Sequence, residues 1–233
     1  MHRNLPDEGG TVVLAFEPNQ MIVCDGDSMT NRRSAGNPDT WPFLRLMHWD
    51  KPWPDMMAEM LFCWRPELNL RFFNAASGGS TCRGMAERFD ERVLPREPAW
   101  VIASVAGNDT RLGVPHDEYR ETMTAYARRV REECGGQVLF FALSEPGPDY
   151  PESKAQSMAG RRERYAILEQ IAAAMDGVYY EDIGPSIAAK ARILKEQHEL
   201  HTIYADDGHL NAVGNLMIAG EMLRVFGVVT GSA

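Results

Sequence analysis

Short apolar runs alternate along the chain with segments whose apolar residues recur every three or four positions. Five of these runs are four to seven residues long, are flanked by Gly, Pro, Asn, Asp or Ser, and lie at 21–24, 70–73, 100–105, 137–143 and 177–180. Runs of this length without strict polar alternation are typical of strands that are buried on both faces of a sheet. A further run at 11–16 predicts an edge strand or an N-terminal lead-in.

The segments between the strands have helical periodicity. The clearest is 116–134, where Tyr119, Met123, Tyr126, Val130 and Cys134 are spaced by four, three, four and four residues. The spacing also predicts helices at 53–64, 81–93, about 165–175, 185–197 and from Asn211, a good N-cap, to the end of the pattern. Strands that alternate with helices in this way predict an α/β fold with a parallel sheet and helices on both faces.

Composition narrows the class of protein. The 233 residues suit one domain, predicted over 1–233 with 1–10 loosely ordered, and 44% hydrophobic with 24% charged residues indicates a globular chain. The net charge of −9 argues against a nucleic-acid partner, which would need a basic face. No window has the length of a membrane span, and the start lacks an apolar signal core. The chain as written is therefore expected to be cytoplasmic, although secretion with a leader that is later removed stays open.

Chemically useful side chains follow the predicted strands. The carboxyl ends of parallel strands lie along one edge, so loops carrying Ser28, Gly79 and Asn108 can meet there. The loop before the last helix adds Asp206 and His209. A hydroxyl nucleophile, an imidazole base and a carboxylate that orients it are the groups that acyl transfer requires, together with donors to the oxyanion.

These residues lie in four motifs that resemble the blocks of the SGNH (GDSL) hydrolases. In chain order the motifs are Gly26-Asp27-Ser28, the segment from Asn74 to Thr81, Ala106-Gly107-Asn108-Asp109, in which Ala106 replaces the family's first glycine, and Asp206-Asp207-Gly208-His209. Each is weak alone, but the four occur in the family's order and span most of the chain. The resemblance implies a three-layer α/β/α sandwich with a flavodoxin-like, five-stranded parallel sheet.

The resemblance also implies a serine esterase that acts through an acyl-enzyme. Ser28 is then the nucleophile, His209 the base and Asp206 the carboxylate, with the oxyanion held by Ser28, Gly79 and Asn108. Short acyl esters such as acetylated carbohydrates are the expected substrates, and no cofactor or metal is expected. Acyl transfer, thioester or lysophospholipid hydrolysis, and carbohydrate binding without turnover stay open, as does the oligomeric state.

The motifs leave several assignments open. Gly78 stands where the family has serine and competes with Gly79, and Asp207 is expected to be an exposed neighbour of Asp206. Asp27 and Asp109 are expected to brace their loops, because aspartates commonly accept backbone N–H bonds in turns. The histidines of the segment 198–201 are too close together for the zinc-binding HExxH motif. In the aromatic segment 41–64, the helical half is expected to be core, and whether the loop half lines the acyl or sugar pocket stays open.

Overall fold

A parallel sheet organises the protein. The computed structural model describes residues 14–31, 51–197, 202–205 and 208–229. Its strands are β1 (Met21–Gly26), β2 (Arg71–Asn74), β3 (Trp100–Ser104), β4 (Gln137–Ala142) and β5 (Val178–Asp182). They are all parallel and have the order β2-β1-β3-β4-β5. This is the flavodoxin-like order, in which the strand sequence reverses direction between β1 and β3.

Helices cover both faces of the sheet and give the predicted three layers. The α-helices are α1 (Ser28–Asn31), α2 (Trp53–Trp64), α3 (Cys82–Glu87), α4 (Gly107–Arg111), α5 (His116–Glu133), α6 (Ala155–Ala174), α7 (Gly184–Gln197) and α8 (Ala212–Val225). Apolar residues of α3, α5 and α6 form one core with Val23 and Phe140. Those of α2, α7 and α8 form a second core with Ile22 and Phe141 on the opposite face. Successive strand residues therefore point to opposite layers, and the expected α/β/α fold is confirmed.

Three element predictions need correction. Residues 14–16 form no strand, although their burial alternates, because the Leu14 N–H donates to the Val225 carbonyl at 3.3 Å and Phe16 stacks on Phe226. The rest of that predicted run, 11–13, lies outside the described residues, as do residues 1–10. Of the two predicted alternatives, the edge strand is thus wrong for 14–16 and the N-terminal lead-in fits: it packs at the end of α8 and joins the core on that face of the sheet.

The helix predicted at 81–93 is not one α-helix. α3 ends at Glu87, and a π-helical turn (Phe89–Val93) and a 3₁₀ turn (Leu94–Arg96) follow. The helix predicted from about 165 begins ten residues earlier, since α6 starts at Ala155. Its first part carries mostly polar residues, so apolar periodicity could not reveal it.

The described part of the aromatic segment contains both buried and exposed side chains. Trp53 is buried and meets the Phe141 ring edge-on, whereas Phe62 and Trp64 are exposed on the same helix. The helical half is thus only partly core, and the loop half, 41–50, lies outside the described residues. Within the described part of the chain, no helix is both long and apolar enough to span a membrane.

Candidate active site

The first functional side chain, Ser28, follows β1 at the point where the strand order reverses. Gly26 has a φ of +148°, and a Cβ there would lie 2.4 Å from the Ser104 carbonyl oxygen of β3. Only glycine fits this close approach. Asp27 then caps the short helix α1, because its Oδ1 accepts the Met29 N–H at 2.9 Å. This turn places Ser28, which is half-buried, at the start of α1 beside a cleft.

The candidate base, His209, is brought to Ser28 by the segment before α8. Its Nε2 lies 2.9 Å from Ser28 Oγ, although 181 positions separate the two residues along the chain. An antiparallel bridge between Tyr204 and Leu210 holds the loop, and the Ala205 N–H donates to the His209 carbonyl at 2.9 Å. Ser28 and His209 therefore have the geometry that proton transfer between a hydroxyl and an imidazole requires.

The loop that carries His209 is anchored to the helix that follows. Asn211 caps α8 by accepting the N–H groups of Val213 and Gly214, and its Nδ2 donates to the Thr202 carbonyl at 2.6 Å. The Tyr204 hydroxyl also accepts the Gly147 N–H at 2.7 Å, which ties the loop to the segment after β4. These bonds fix the backbone on both sides of His209. Asp206, the predicted orienting carboxylate, and Asp207 lie outside the described residues.

Asn108 joins the loops that follow three strands. Its Nδ2 donates to Asp27 Oδ2 at 3.2 Å and to the Ser80 carbonyl at 3.1 Å, so both amide hydrogens are in use. Its Oδ1 accepts from Arg111 at 3.2 Å, which fixes the orientation of the amide. Donation to an oxyanion would therefore require Asn108 to exchange one of its present acceptors.

The candidate oxyanion glycine lies in the turn after β2. Gly79 has a φ of +78°, a conformation that favours glycine, and a Cβ there would meet nothing within 4 Å. The neighbouring Gly78 is equally open but does not need a positive φ. Among the described residues, the backbone N–H groups of Ser28 and Gly79 have no hydrogen-bond acceptor. Ser28, Asn108 and His209 line the cleft, whereas Gly79 lies outside its lining.

The aspartates of the motifs brace loops, as expected. Asp109 is fully buried and its Oδ1 accepts the Cys82 N–H at 3.0 Å, which joins α4 to α3. Asp27 is also buried. Burial raises the pKa of Asp27, while the Met29 N–H and the nearby Arg161 charge act in the opposite direction.

A buried polar network, absent from the sequence-based site, supports the nucleophile turn. Arg88 donates to Asp25 Oδ1 at 2.5 Å, to the Gly26 carbonyl at 2.7 Å and to Ser80 Oγ at 2.5 Å. The Tyr126 hydroxyl donates to the other oxygen of Asp25 at 2.7 Å. One guanidinium therefore connects the residues before Ser28 with the loop that carries Gly79.

The cleft itself has a volume of about 540 Å³. One side is formed by polar residues at the beginning of α6 and just before it, namely Ser153, Lys154, Gln156, Ser157 and Arg161. Sequence reasoning missed this wall, because polar residues at the start of a helix are usually solvated. Among the described residues, no group of three or more His, Cys, Asp or Glu side chains is placed to hold a metal ion, and 198–201 lies outside them.

Comparison with known proteins finds similar sequences and structures. An acetylxylan esterase from Geobacillus stearothermophilus is 25% identical over 173 residues, which cover 70% of this chain and 74% of that protein. The crystal structure of a catalytic mutant of an acetylxylan esterase from that organism has a TM-score of 0.71 at 18% identity, covering 94% of this chain and all of the other. An α/β hydrolase from the metagenome of Lake Arreo, Spain, has a TM-score of 0.66 at 20% identity, covering 93% of this chain and 99% of the other.

The structural likenesses concern the fold, and the family follows from the sequence. The model of the GDSL-like lipase/acylhydrolase family matches residues 24–216, which include all four motifs. The resemblance inferred from those motifs is thus confirmed. The chain belongs to the GDSL-like lipase/acylhydrolase family and is an ester hydrolase of that family.

Proposed function

We propose that the protein is a serine esterase that removes short acyl groups, acetyl above all, from carbohydrates. The observation that carries the proposal is the 2.9 Å contact between Ser28 Oγ and His209 Nε2 in the cleft. The related acetylxylan esterase supports the substrate class. The polar wall at the start of α6 also suits hydroxylated sugars better than a long acyl chain.

The reaction begins with proton transfer from Ser28 to His209. As His209 Nε2 takes the proton, Ser28 Oγ bonds to the ester carbonyl carbon, and the carbonyl oxygen becomes the oxyanion. When that intermediate collapses, His209 gives the proton to the departing sugar oxygen and an acyl-enzyme remains. Water then repeats the sequence: His209 takes its proton, the hydroxide attacks the acyl carbon, and the proton returns to Ser28 Oγ as the acid leaves.

The oxyanion requires donors that are ready before the reaction. The N–H groups of Ser28 and Gly79 fit this role because neither has an acceptor among the described residues. Asn108 is the third donor in the proposal, after it releases the Ser80 carbonyl or Asp27. Asp206 is assigned the orienting role on spacing alone, three residues before His209. Each donor of this kind contributes about 3 kcal/mol to lowering the barrier.

An ester panel with a serine variant tests the proposal. The wild-type protein is expected to hydrolyse 4-nitrophenyl acetate faster than the butyrate and octanoate esters and to release acetate from acetylated xylan. Ser28→Ala should lower turnover by several powers of ten, because the nucleophile is lost and only one small hydroxyl is removed.

The matched control is Ser186→Ala, which removes a serine hydroxyl of α7 that is bonded to Glu221 of α8, outside the cleft lining. It is expected to retain turnover. A Ser28→Ala protein that kept a tenth of wild-type turnover would remove Ser28 from the mechanism. A preference for octanoate would overturn the short-acyl assignment.

A further inference from the structure

Three cationic side chains line the cleft of a strongly acidic protein. The chain carries a net charge of −9, yet Arg111, Lys154 and Arg161 all lie in the cleft lining. Among the described lining residues Asp27 is the one carboxylate. Asp27 is buried and its oxygens already accept hydrogen bonds from the Met29 N–H and Asn108. The described wall of the cleft therefore carries more positive than negative side chains in a protein whose net charge is negative, a pattern that attracts anionic ligands.

The most informative of the three is Arg161, at the side of the cleft next to Asn108. Its guanidinium packs against α4: a Cβ on Gly107 would lie 3.2 Å from its Nη2. Within the described ranges, the terminal nitrogens of Arg161 form no ion pair and no hydrogen bond, so they stay available to a ligand, whereas its Nε is buried without an acceptor. A guanidinium held in this way retains its donors for a ligand in the cleft.

Arg164 lies one turn further along α6 and, unlike Arg161, has acceptors for its terminal nitrogens. Arg164 is buried away from the cleft lining, and its terminal nitrogens donate to the carbonyls of Gly160, Val114 and Asp109 at 3.0, 2.6 and 3.3 Å. Both side chains lie close to α4. Arg164 thus joins α6 to α4 through its hydrogen bonds. The packing of these helices does not require a charge at Arg161.

Lys154 extends the same positive wall towards His209. Its Nζ lies 3.2 Å from the position that a Cβ on Gly208 would take, directly before His209 in the chain. In the proposed reaction His209 gives its proton to the departing sugar oxygen, so the sugar occupies the His209 side of the cleft. A cation at this place would face the sugar rather than the acyl group.

From this arrangement we propose that the cleft selects esters of sugars that carry a carboxylate, that is, acylated uronic acids. The inference rests on the proposed function and names its substrate class. Arg161 and Lys154 hold the carboxylate of the sugar, with the planar guanidinium able to donate two parallel hydrogen bonds to its two oxygens. Arg111, which already donates to Asn108, adds to the local potential.

Paired substrates test the inference. The rates on an acetylated methyl glucuronoside and the matching acetylated methyl glucoside give a ratio of kcat/KM that isolates the carboxylate. Wild-type protein is expected to prefer the glucuronoside by about tenfold or more at low salt, because hydrogen bonds to charged groups contribute that much. The preference should fall as salt is added.

Variants assign the effect to residues. Arg161→Met and Lys154→Met should each lower the ratio by about tenfold, mainly through KM. The ratio is the measured quantity because Arg161 also acts on Asp27, which would affect both substrates alike. The control is Arg128→Met, an exposed arginine on α5 outside the cleft lining, and it should leave the ratio unchanged.

Other results would overturn the inference. A wild-type ratio near one, or a preference that survives both Arg161→Met and Lys154→Met, would contradict it. A preference for the mono-4-nitrophenyl ester of succinic acid over 4-nitrophenyl acetate, without one for the glucuronoside, would place the anion on the acyl group instead.

Failure of the proposed function would look different. In that case neither 4-nitrophenyl acetate nor either sugar ester would be turned over. Calorimetric titration with methyl glucuronoside and methyl glucoside then tests the cationic wall separately. If the wild-type protein binds the glucuronoside more tightly and Arg161→Met loses this difference, the cationic wall recognises the carboxylate. Equal binding of the two sugars would contradict that role.

Discussion

Arg88 and Arg161 flank the same site, and the protein holds them in opposite ways. Arg88 is almost completely buried and donates to Asp25, Gly26 and Ser80, so its charge is fully used by the fold. Arg161 is half-buried and has no acceptor among the described residues. One arginine thus fixes the backbone beneath the nucleophile, while the other keeps its donors for the cleft. The difference separates rigid support from substrate recognition within one site.

The largest loss of stability is expected when Arg88, which supports the backbone before Ser28, is replaced. Arg88→Met leaves the buried Asp25 carboxylate without its cation, which typically costs about 3–5 kcal/mol of unfolding free energy. Esterase rates should fall alike on anionic and neutral substrates, because Ser28 and the Gly79 loop both lose an anchor. Chemical denaturation and kinetics on the same preparation measure the two effects.

The control for the buried Arg88–Asp25 pair is an exposed pair that also joins an arginine to a carboxylate. Arg83 bonds to Glu118 with side chains 53% and 37% exposed, so solvent screens the pair and Arg83→Met should lower the unfolding free energy far less than Arg88→Met. If Arg88→Met were as stable as Arg83→Met, the network beneath Ser28 would not be the support described above.

The next effect concerns Asn108, which lies between the two regions. Asn108→Ala should lower kcat by about a hundredfold to a thousandfold with little change in KM, because its donor acts only when the oxyanion forms. A purely bracing role predicts instead that kcat falls only in proportion to the protein that has unfolded. Kinetics and melting temperature measured together distinguish the two roles.

Asn74 is a matched asparagine for that experiment. It is the last residue of β2, and its side chain donates to the Thr30 carbonyl at 2.9 Å and accepts the Ala76 N–H at 3.1 Å, so both ends of the amide brace the turn. Asn74→Ala should lower the melting temperature while the folded fraction keeps its kcat. A kcat loss in Asn108→Ala no greater than that in Asn74→Ala would leave the oxyanion to backbone donors.

The smallest effect is expected for the stability of Arg161→Met. Arg161 forms no hydrogen bond to the described part of the fold. Its replacement by methionine should therefore change the unfolding free energy by less than about 1 kcal/mol. The same denaturation assay measures it. A loss as large as that of Arg88→Met would show that Arg161 supports the fold and would remove the contrast between the two arginines.

The pattern of the sequence predicted most of the scaffold for a physical reason. Parallel strands are buried on both faces, so β1, β3 and β4 are nearly continuous apolar runs, and motifs follow directly at the ends of β1 and β3. Gly26 and Ser28 were recognisable because the turn after β1 tolerates few other residues. The regular helix α5 was equally clear, since one of its faces packs on the sheet.

The remaining features depend on contacts between distant segments. Arg88 pairs with Asp25 across 63 positions, and nothing in the local pattern distinguishes it from a solvated arginine. Arg161 lies in the polar first half of α6, which periodicity did not assign to a helix at all. The π-helical turn after α3 also interrupts a pattern that looked continuous. Charged residues therefore acquire their roles only when the fold brings their partners together.

The central claim, that Ser28 activated by His209 is the nucleophile, is tested most directly by covalent labelling. A fluorophosphonate probe should modify one serine, Ser28, as located by mass spectrometry of the digested protein. Labelling should be absent in Ser28→Ala and strongly slowed in His209→Ala, because the hydroxyl reacts only when an imidazole takes its proton. A label on a different serine, or equal labelling rates for wild type and His209→Ala, would contradict the account.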